Sequence, residues 1–95
     1  MRRAAKIDAN QTAIVEALRR VGAKVQSLAS VGNGTPDLLV RFRDVTYLLE
    51  VKDGSKPPSK QALTADQIIW HAEWDGAVKV VNSIESALTA IGATK

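Results

Sequence analysis

Residues 36–52, PDLLVRFRDVTYLLEVK, restrict the possible folds of this chain more than any other stretch. The runs DLLVRFR and TYLLEVK are rich in Val, Leu, Phe and Tyr and are parted by Asp44-Val45 alone. They form the best β-hairpin candidate in the chain, although Asp-Val is not a favoured turn pair. A lone hairpin is marginal in water, so other elements must complete it, and 95 residues suffice for one domain, residues 1–95. Its charges are unusual. Asp37 opens it and Glu50 and Lys52 close it, in sequence otherwise apolar enough to be buried.

Side chains alternate between the faces of a strand, so Glu50 and Lys52, two apart, share a face. Whether Asp37 joins them depends on register. If Arg43 pairs with Thr46 across a two-residue turn, Asp37 lies opposite Lys52 and Leu39 opposite Glu50. A four-residue loop centred on the same point keeps those partners. Directly paired residues of an antiparallel ladder project to one face, so Asp37, Glu50 and Lys52 are expected to emerge together. The two acids are then diagonal neighbours, with backbones roughly 7–8 Å apart. An odd loop length or a bulge would separate them. Arg41 and Arg43 share the face of Asp37 in this register.

The rest of the chain reads as helices and strands around the hairpin. DANQTAIVEALRRVG is a helix with Asp8 as N-cap, an apolar stripe of Ile14, Leu18 and Val21, and Gly22 as its stop. AKVQSLASV alternates loosely as a short strand, and GNGTP is a turn. DGSKPPSKQA is a loop in which Pro57-Pro58 tends to polyproline conformation. Thr64 stands three residues before Gln67, the spacing of a capping box, and opens a helix running to about Trp74, with Gly76 ending it. AVKVVN is a strand and SIESALTAIG a final helix capped by Ser83. The order α-β-β-β-α-β-α lets the last strand lie parallel to a neighbour, which predicts a mixed central sheet flanked by helices, an α/β fold.

The chemistry suited to two carboxylates and an amine on one face is phosphodiester hydrolysis. Two carboxylates can hold a divalent cation that polarises a phosphoryl oxygen and lowers the pKa of bound water. The Val51 carbonyl can complete the coordination, and Lys52 can orient the water or stabilise developing negative charge. The simpler alternative is a charge-paired hairpin in which Lys52 neutralises Asp37, under about 1 kcal/mol when exposed. Glu50 counts against it, as a third charge in the same patch flanked by Leu48, Leu49 and Val51.

Composition narrows the choices further. There is no cysteine and a single histidine, His71, so a metal must be held largely by oxygen, which favours Mg²⁺ or Mn²⁺. The net charge of +3 is weak support for a polyanionic partner, although Arg2, Arg3 and Lys6 cluster at one end and Lys52, Lys56 and Lys60 punctuate one loop. No apolar run is long enough to span a membrane, and AAKIDANQTAIVEALRR turns polar too quickly for a signal peptide. A cytoplasmic protein is expected.

GTPDLLV followed by nine residues and EVK, which leaves twelve residues between Asp37 and Glu50, resembles the PD-(D/E)xK nuclease motif, whose fold is the restriction-endonuclease-like αβββαβ core, here with a C-terminal helix. Within that superfamily GNGTPDLLV, LLEVKDG, LTADQIIWHAEW and VKVVNS look like a stand-alone VRR-NUC domain of the phage-encoded kind, the match covering most of residues 8–91. The resemblance implies a metal-dependent DNA endonuclease with Asp37 and Glu50 as metal ligands, Val51 as a carbonyl ligand and Lys52 as the catalytic lysine. It also implies branched DNA (Holliday junctions or flaps) as substrate, a homodimer, and the host cytoplasm as location. The alternative is a catalytically silent, structure-selective DNA-binding module.

Related nucleases often carry an acid on the first helix, and this chain departs from that pattern. Glu16 lies roughly 160–200° around the helix from Ile14 and Leu18, on the solvent face. Asn10 and Gln11 fall within roughly 60° of the apolar stripe, and Gln11 is the expected inward polar contribution, with Asn10 beside it. On the second helix Gln67, His71 and Trp74 share one side with Trp70 beside them, and the tryptophans read as core. By the resemblance Gln67 belongs near the catalytic centre, orienting water or bridging to Lys52, while His71 is a candidate phosphate contact. Lys56, Lys60 and Arg41 are candidate DNA contacts; the competing reading of the lysines is an ordinary surface loop.

Overall fold

The computed structural model describes residues 9–93. Asp8 and the basic cluster of Arg2, Arg3 and Lys6 lie outside the described residues. The elements are α1 (Ala9–Arg20), β1 (Lys24–Ser27), β2 (Leu38–Phe42), β3 (Val45–Val51), α2 (Pro58–Gln61), α3 (Ala65–Glu73), β4 (Val78–Val81) and α4 (Ile84–Ala90). The strands form one mixed sheet in the order β1-β2-β3-β4, antiparallel except for the β3–β4 pair. A parallel neighbour needs a crossover, and the segment carrying α2 and α3 supplies it. The protein is thus a mixed α/β fold.

Alternation along the hairpin divides the sheet. Leu38, Val40 and Phe42 of β2 and Leu49 of β3 are buried with Ile14 and Leu18 of α1, Val81 of β4, and Ala87 and Ile91 at α4. One face therefore holds the core under α1 and α4, and the Tyr47 hydroxyl donates to the Ile91 carbonyl at 3.3 Å to tie sheet to helix. The other face carries Asp37, Leu39, Arg41, Leu48, Glu50 and Lys52, and α3 lies over part of it. α1 stops where Gly22 takes a left-handed φ of 99°. Ser83 caps α4, its hydroxyl accepting from the Ser86 amide at 3.0 Å.

The hairpin turn sits one residue earlier than the sequence reading placed it. Arg43 and Asp44 form the turn, with φ of 50° and 67°, and Phe42 pairs with Val45. Two consecutive positive φ values give the turn whose twist matches that of the strands. Asp44 tolerates this region, whereas the β-branched Val45 is better placed in the strand. Arg41 therefore faces Thr46 and donates to its hydroxyl at 3.0 Å. Leu39 faces Leu48, not Glu50. Arg43 leaves the face of Asp37 and stacks its guanidinium 4.7 Å from the centroid of Phe42.

Three further expectations are corrected. The loop DGSKPPSKQA contains the short helix α2, because Pro57 (φ −61°, ψ 157°) is extended as expected but Pro58 suits the first helical position. Gln61 anchors this helix, donating to the Lys56 carbonyl at 2.7 Å and accepting from Asn82 at 3.0 Å. Val21 is exposed because it follows the last turn of α1. The tryptophans are not core: Trp70 is half-buried and Trp74 is 54% exposed. They stack on each other at 4.7 Å between centroids, with ring planes 5° apart.

Candidate active site

The corrected register moves pairing by two residues, which preserves the faces and brings the acids closer than expected. Leu38 pairs with Leu49, so continuing the ladder by one step sets Asp37 directly opposite Glu50, and Lys52 lies beyond the ladder. Asp37 stands just before β2, with its carbonyl accepting from the Leu28 amide at 2.7 Å. Its carboxylate Oδ2 accepts from the Val51 amide at 2.7 Å. A side chain thus replaces the missing main-chain partner at the end of the ladder. In an extended strand one residue's N–H and C=O leave on the same side, so the Val51 carbonyl is directed toward Asp37 as well. The Lys52 amide points the other way, donating to the Val81 carbonyl at 2.8 Å.

Glu50 is 2% exposed, a burial that an acid survives only with partners or by taking up a proton. Its Oε2 accepts from Gln67 Nε2 at 3.1 Å and lies 3.9 Å from Lys52 Nζ. Its Oε1 is buried with no hydrogen-bond partner. Burial, then the hydrogen bond and repulsion from Asp37, push the Glu50 carboxyl from 4.5 up to about 8, against a smaller pull from Lys52.

Gln67 joins the charged groups. Its Oε1 accepts from Lys52 Nζ at 2.8 Å and from the Thr64 amide at 2.9 Å, while its Nε2 reaches Glu50. The Thr64 hydroxyl accepts from the Gln67 amide at 3.2 Å, completing the capping box. One amide side chain therefore caps α3 and fixes the spacing of lysine and glutamate. The loop before β2 seats the start of this helix, for a Cβ on Gly34 (φ 83°) would collide with the Asp66 carbonyl.

His71 lies one turn beyond Gln67, with Nε2 buried and without a partner. Burial, and to a lesser degree the charge of Lys52, hold its pKa below the usual imidazole range, so the ring is neutral at pH 7. From α1, Asn10 Nδ2 donates to the Lys52 carbonyl at 2.7 Å and to the Asn82 carbonyl at 3.4 Å. Gln11 is buried, as expected, beside a groove whose other walls include Val15, Arg19 and Ser27. Glu16 is exposed. Arg41 is exposed on the carboxylate face, four residues along β2 from Asp37, and Lys56 and Lys60 are exposed on the crossover segment.

The structure thus joins Asp37, Glu50, Lys52 and Gln67 in one contact network with Val51 between them. The capping-box spacing of Thr64 and Gln67 anticipates the Thr64 amide's hold on Gln67, and the bridge to Lys52 was expected, but the bond from Gln67 to Glu50 has no signal in the sequence. No cluster of three or more His, Cys, Asp or Glu occurs among the described residues, so any metal here would rest on two carboxylates and main-chain oxygen. That donor set fits a hard cation, and the unpartnered Glu50 Oε1 and the raised pKa of Glu50 are what such an ion would relieve. No family model matches this chain, and neither does any curated protein or solved structure.

Proposed function

We propose that this chain is a divalent-metal-dependent DNA endonuclease of the VRR-NUC type, built on a restriction-endonuclease-like core and acting on branched DNA. The observation that carries the reading is Asp37 opposite Glu50 on one sheet face, with Lys52 hydrogen-bonded through Gln67 to the same glutamate. Asp37, Glu50 and the Val51 carbonyl would hold Mg²⁺ or Mn²⁺, which when bound polarises a phosphoryl oxygen and acidifies water.

The chain's own groups have separate tasks. Gln67 Oε1 keeps the Lys52 ammonium beside the acids, where it can donate to a phosphoryl oxygen or to the attacking water. The amide of Val51 holds one oxygen of Asp37 and so fixes the direction of the other. Asn10 restrains the peptide that carries Lys52. Arg41, Lys56, Lys60 and His71 would serve as phosphate contacts that position the strand without reading its sequence. A homodimer and the host cytoplasm belong to the same reading. Ile68 and Ile69 of α3, 57% and 58% exposed, leave apolar surface for a second copy. No helix among the described residues is long and apolar enough to cross a membrane.

The test is cleavage of four-way, flap and linear DNA in Mg²⁺ or Mn²⁺ by wild type and Lys52→Ala. Products from wild type that vanish in the variant are expected; identical products from both refute the assignment. Tight, salt-sensitive binding without cleavage in any metal would instead identify a silent DNA-binding module. Light scattering at micromolar concentration showing a 10.2 kDa particle would remove the dimer.

A further inference from the structure

We propose that the apolar cleft beside the carboxylates receives one unpaired nucleobase of the substrate strand, stacked against Trp74; this rests on the nuclease reading above. The cleft has a volume of about 490 Å³, and its lining includes Leu28, Leu39, Leu48, Trp70 and Trp74 together with Thr46. Leu39 and Leu48 are cross-strand partners, and each lies two residues from an acid on the same face, Leu39 from Asp37 and Leu48 from Glu50. Two residues of strand span roughly 7 Å, so the cleft begins about one nucleotide from the proposed reacting phosphate.

The aromatic wall and the acids are positioned by the same parts. Trp70 follows Gln67 by three residues on α3, so the helix that delivers Gln67 to Glu50 also sets the tryptophans. The two rings are already parallel and in contact, yet Trp74 remains 54% exposed. A stacked indole pair with an open side is a platform that a third planar ring can extend.

Charge identifies the occupant. Leu39 also borders a second groove, lined by Lys24, Val25, Gln26 and Arg41 on the neighbouring strands. An apolar aromatic slot beside two cations matches a planar base joined to phosphates. A base inside a duplex offers only its edges, so stacking in this slot requires one that is unpaired or extruded. The substrate class is thereby narrowed to DNA with an unpaired nucleotide next to the cut, as at a flap or an open junction.

Trp70 and Trp74 are the chain's two tryptophans, so tryptophan fluorescence, excited at a wavelength that Tyr47 does not absorb, reports on this cleft alone. The experiment titrates the full chain, in EDTA, with single-stranded oligothymidylate and with an abasic strand of equal length. Quenching by oligothymidylate is expected, with affinity falling about 5- to 100-fold in Trp74→Ala and largely retained in Trp74→Phe. The abasic strand should bind both variants and wild type alike, without quenching. Equal quenching by abasic and thymidine strands overturns the proposal, and so does Trp74→Ala binding as tightly as wild type. Conversion of a dimer to a monomer by Trp74→Ala, with DNA affinity unchanged, would overturn it by assigning the cleft to a second copy. Should Trp74→Ala not fold, the comparison of strands on wild type and Trp74→Phe still decides. Because no metal is present, failure here leaves the cleavage assignment standing, and failure of cleavage does not touch this readout.

Discussion

Replacing Glu50 by Gln isolates the cost of holding an acid in this sheet. In the unfolded chain the carboxyl has its ordinary value of 4.5, and in the folded protein it is raised to about 8. Between those values the folded state binds a proton that the unfolded state has released, so stability falls as pH rises through that window and levels off above the folded value. From about pH 6 to pH 9 the loss is on the order of 3 kcal/mol, or roughly 10–20 °C in Tm for a domain of this size. Glutamine has nearly the same shape. It can accept from Gln67 Nε2 as Glu50 Oε2 does and can donate to Asp37 without ever becoming charged. The Tm of wild type and Glu50→Gln, measured in EDTA from pH 6 to pH 9, should therefore diverge, with wild type dropping and the variant nearly flat. His71, whose pKa is lowered, contributes in the opposite sense at the acid end but does so in both proteins, so the difference between them is unaffected. Mn²⁺ should restore the wild type at high pH and leave the variant unchanged, since an ion that binds only the folded state stabilises it. Parallel profiles for the two proteins in EDTA would refute the claim that burial beside Asp37 dominates Glu50.

Gly34→Ala should cost about 1–3 kcal/mol, because it strains a left-handed position and displaces the start of α3; chemical denaturation measures it, and a fall in cleavage should accompany it. Asn10→Ala leaves the Lys52 carbonyl with one partner fewer and should lower stability by about 1–2 kcal/mol, read from the shift in denaturation midpoint at constant slope. Ser83→Ala removes the cap of α4 and should cost about 1 kcal/mol in the same assay, without changing cleavage by the folded protein.

Much of the site was legible because parity is robust. An error of two residues in the hairpin register left Asp37, Glu50 and Lys52 on one face, whereas an error of one would have divided them. The register itself was misread because Asp44-Val45 looked like the break. The chain instead spends Arg43 and Asp44 on the left-handed turn and keeps Val45 for pairing with Phe42. The tryptophans misled for a different reason. Helical spacing says that two side chains share a side of α3, but it cannot say how closely that side approaches a sheet.

The amino-acid order by itself determined the local features: strand alternation, the Thr64–Gln67 cap, the glycine stop of α1 and the Ser83 cap of α4. Each depends on groups within a few residues of one another, whose geometry the backbone fixes. Only the tertiary structure decided that Asp37 faces Glu50, that Gln67 holds both lysine and glutamate, and that an open aromatic cleft adjoins them. Those relations join residues far apart in the chain, and the burial that raises the pKa of Glu50 exists only once sheet and helix have closed around it.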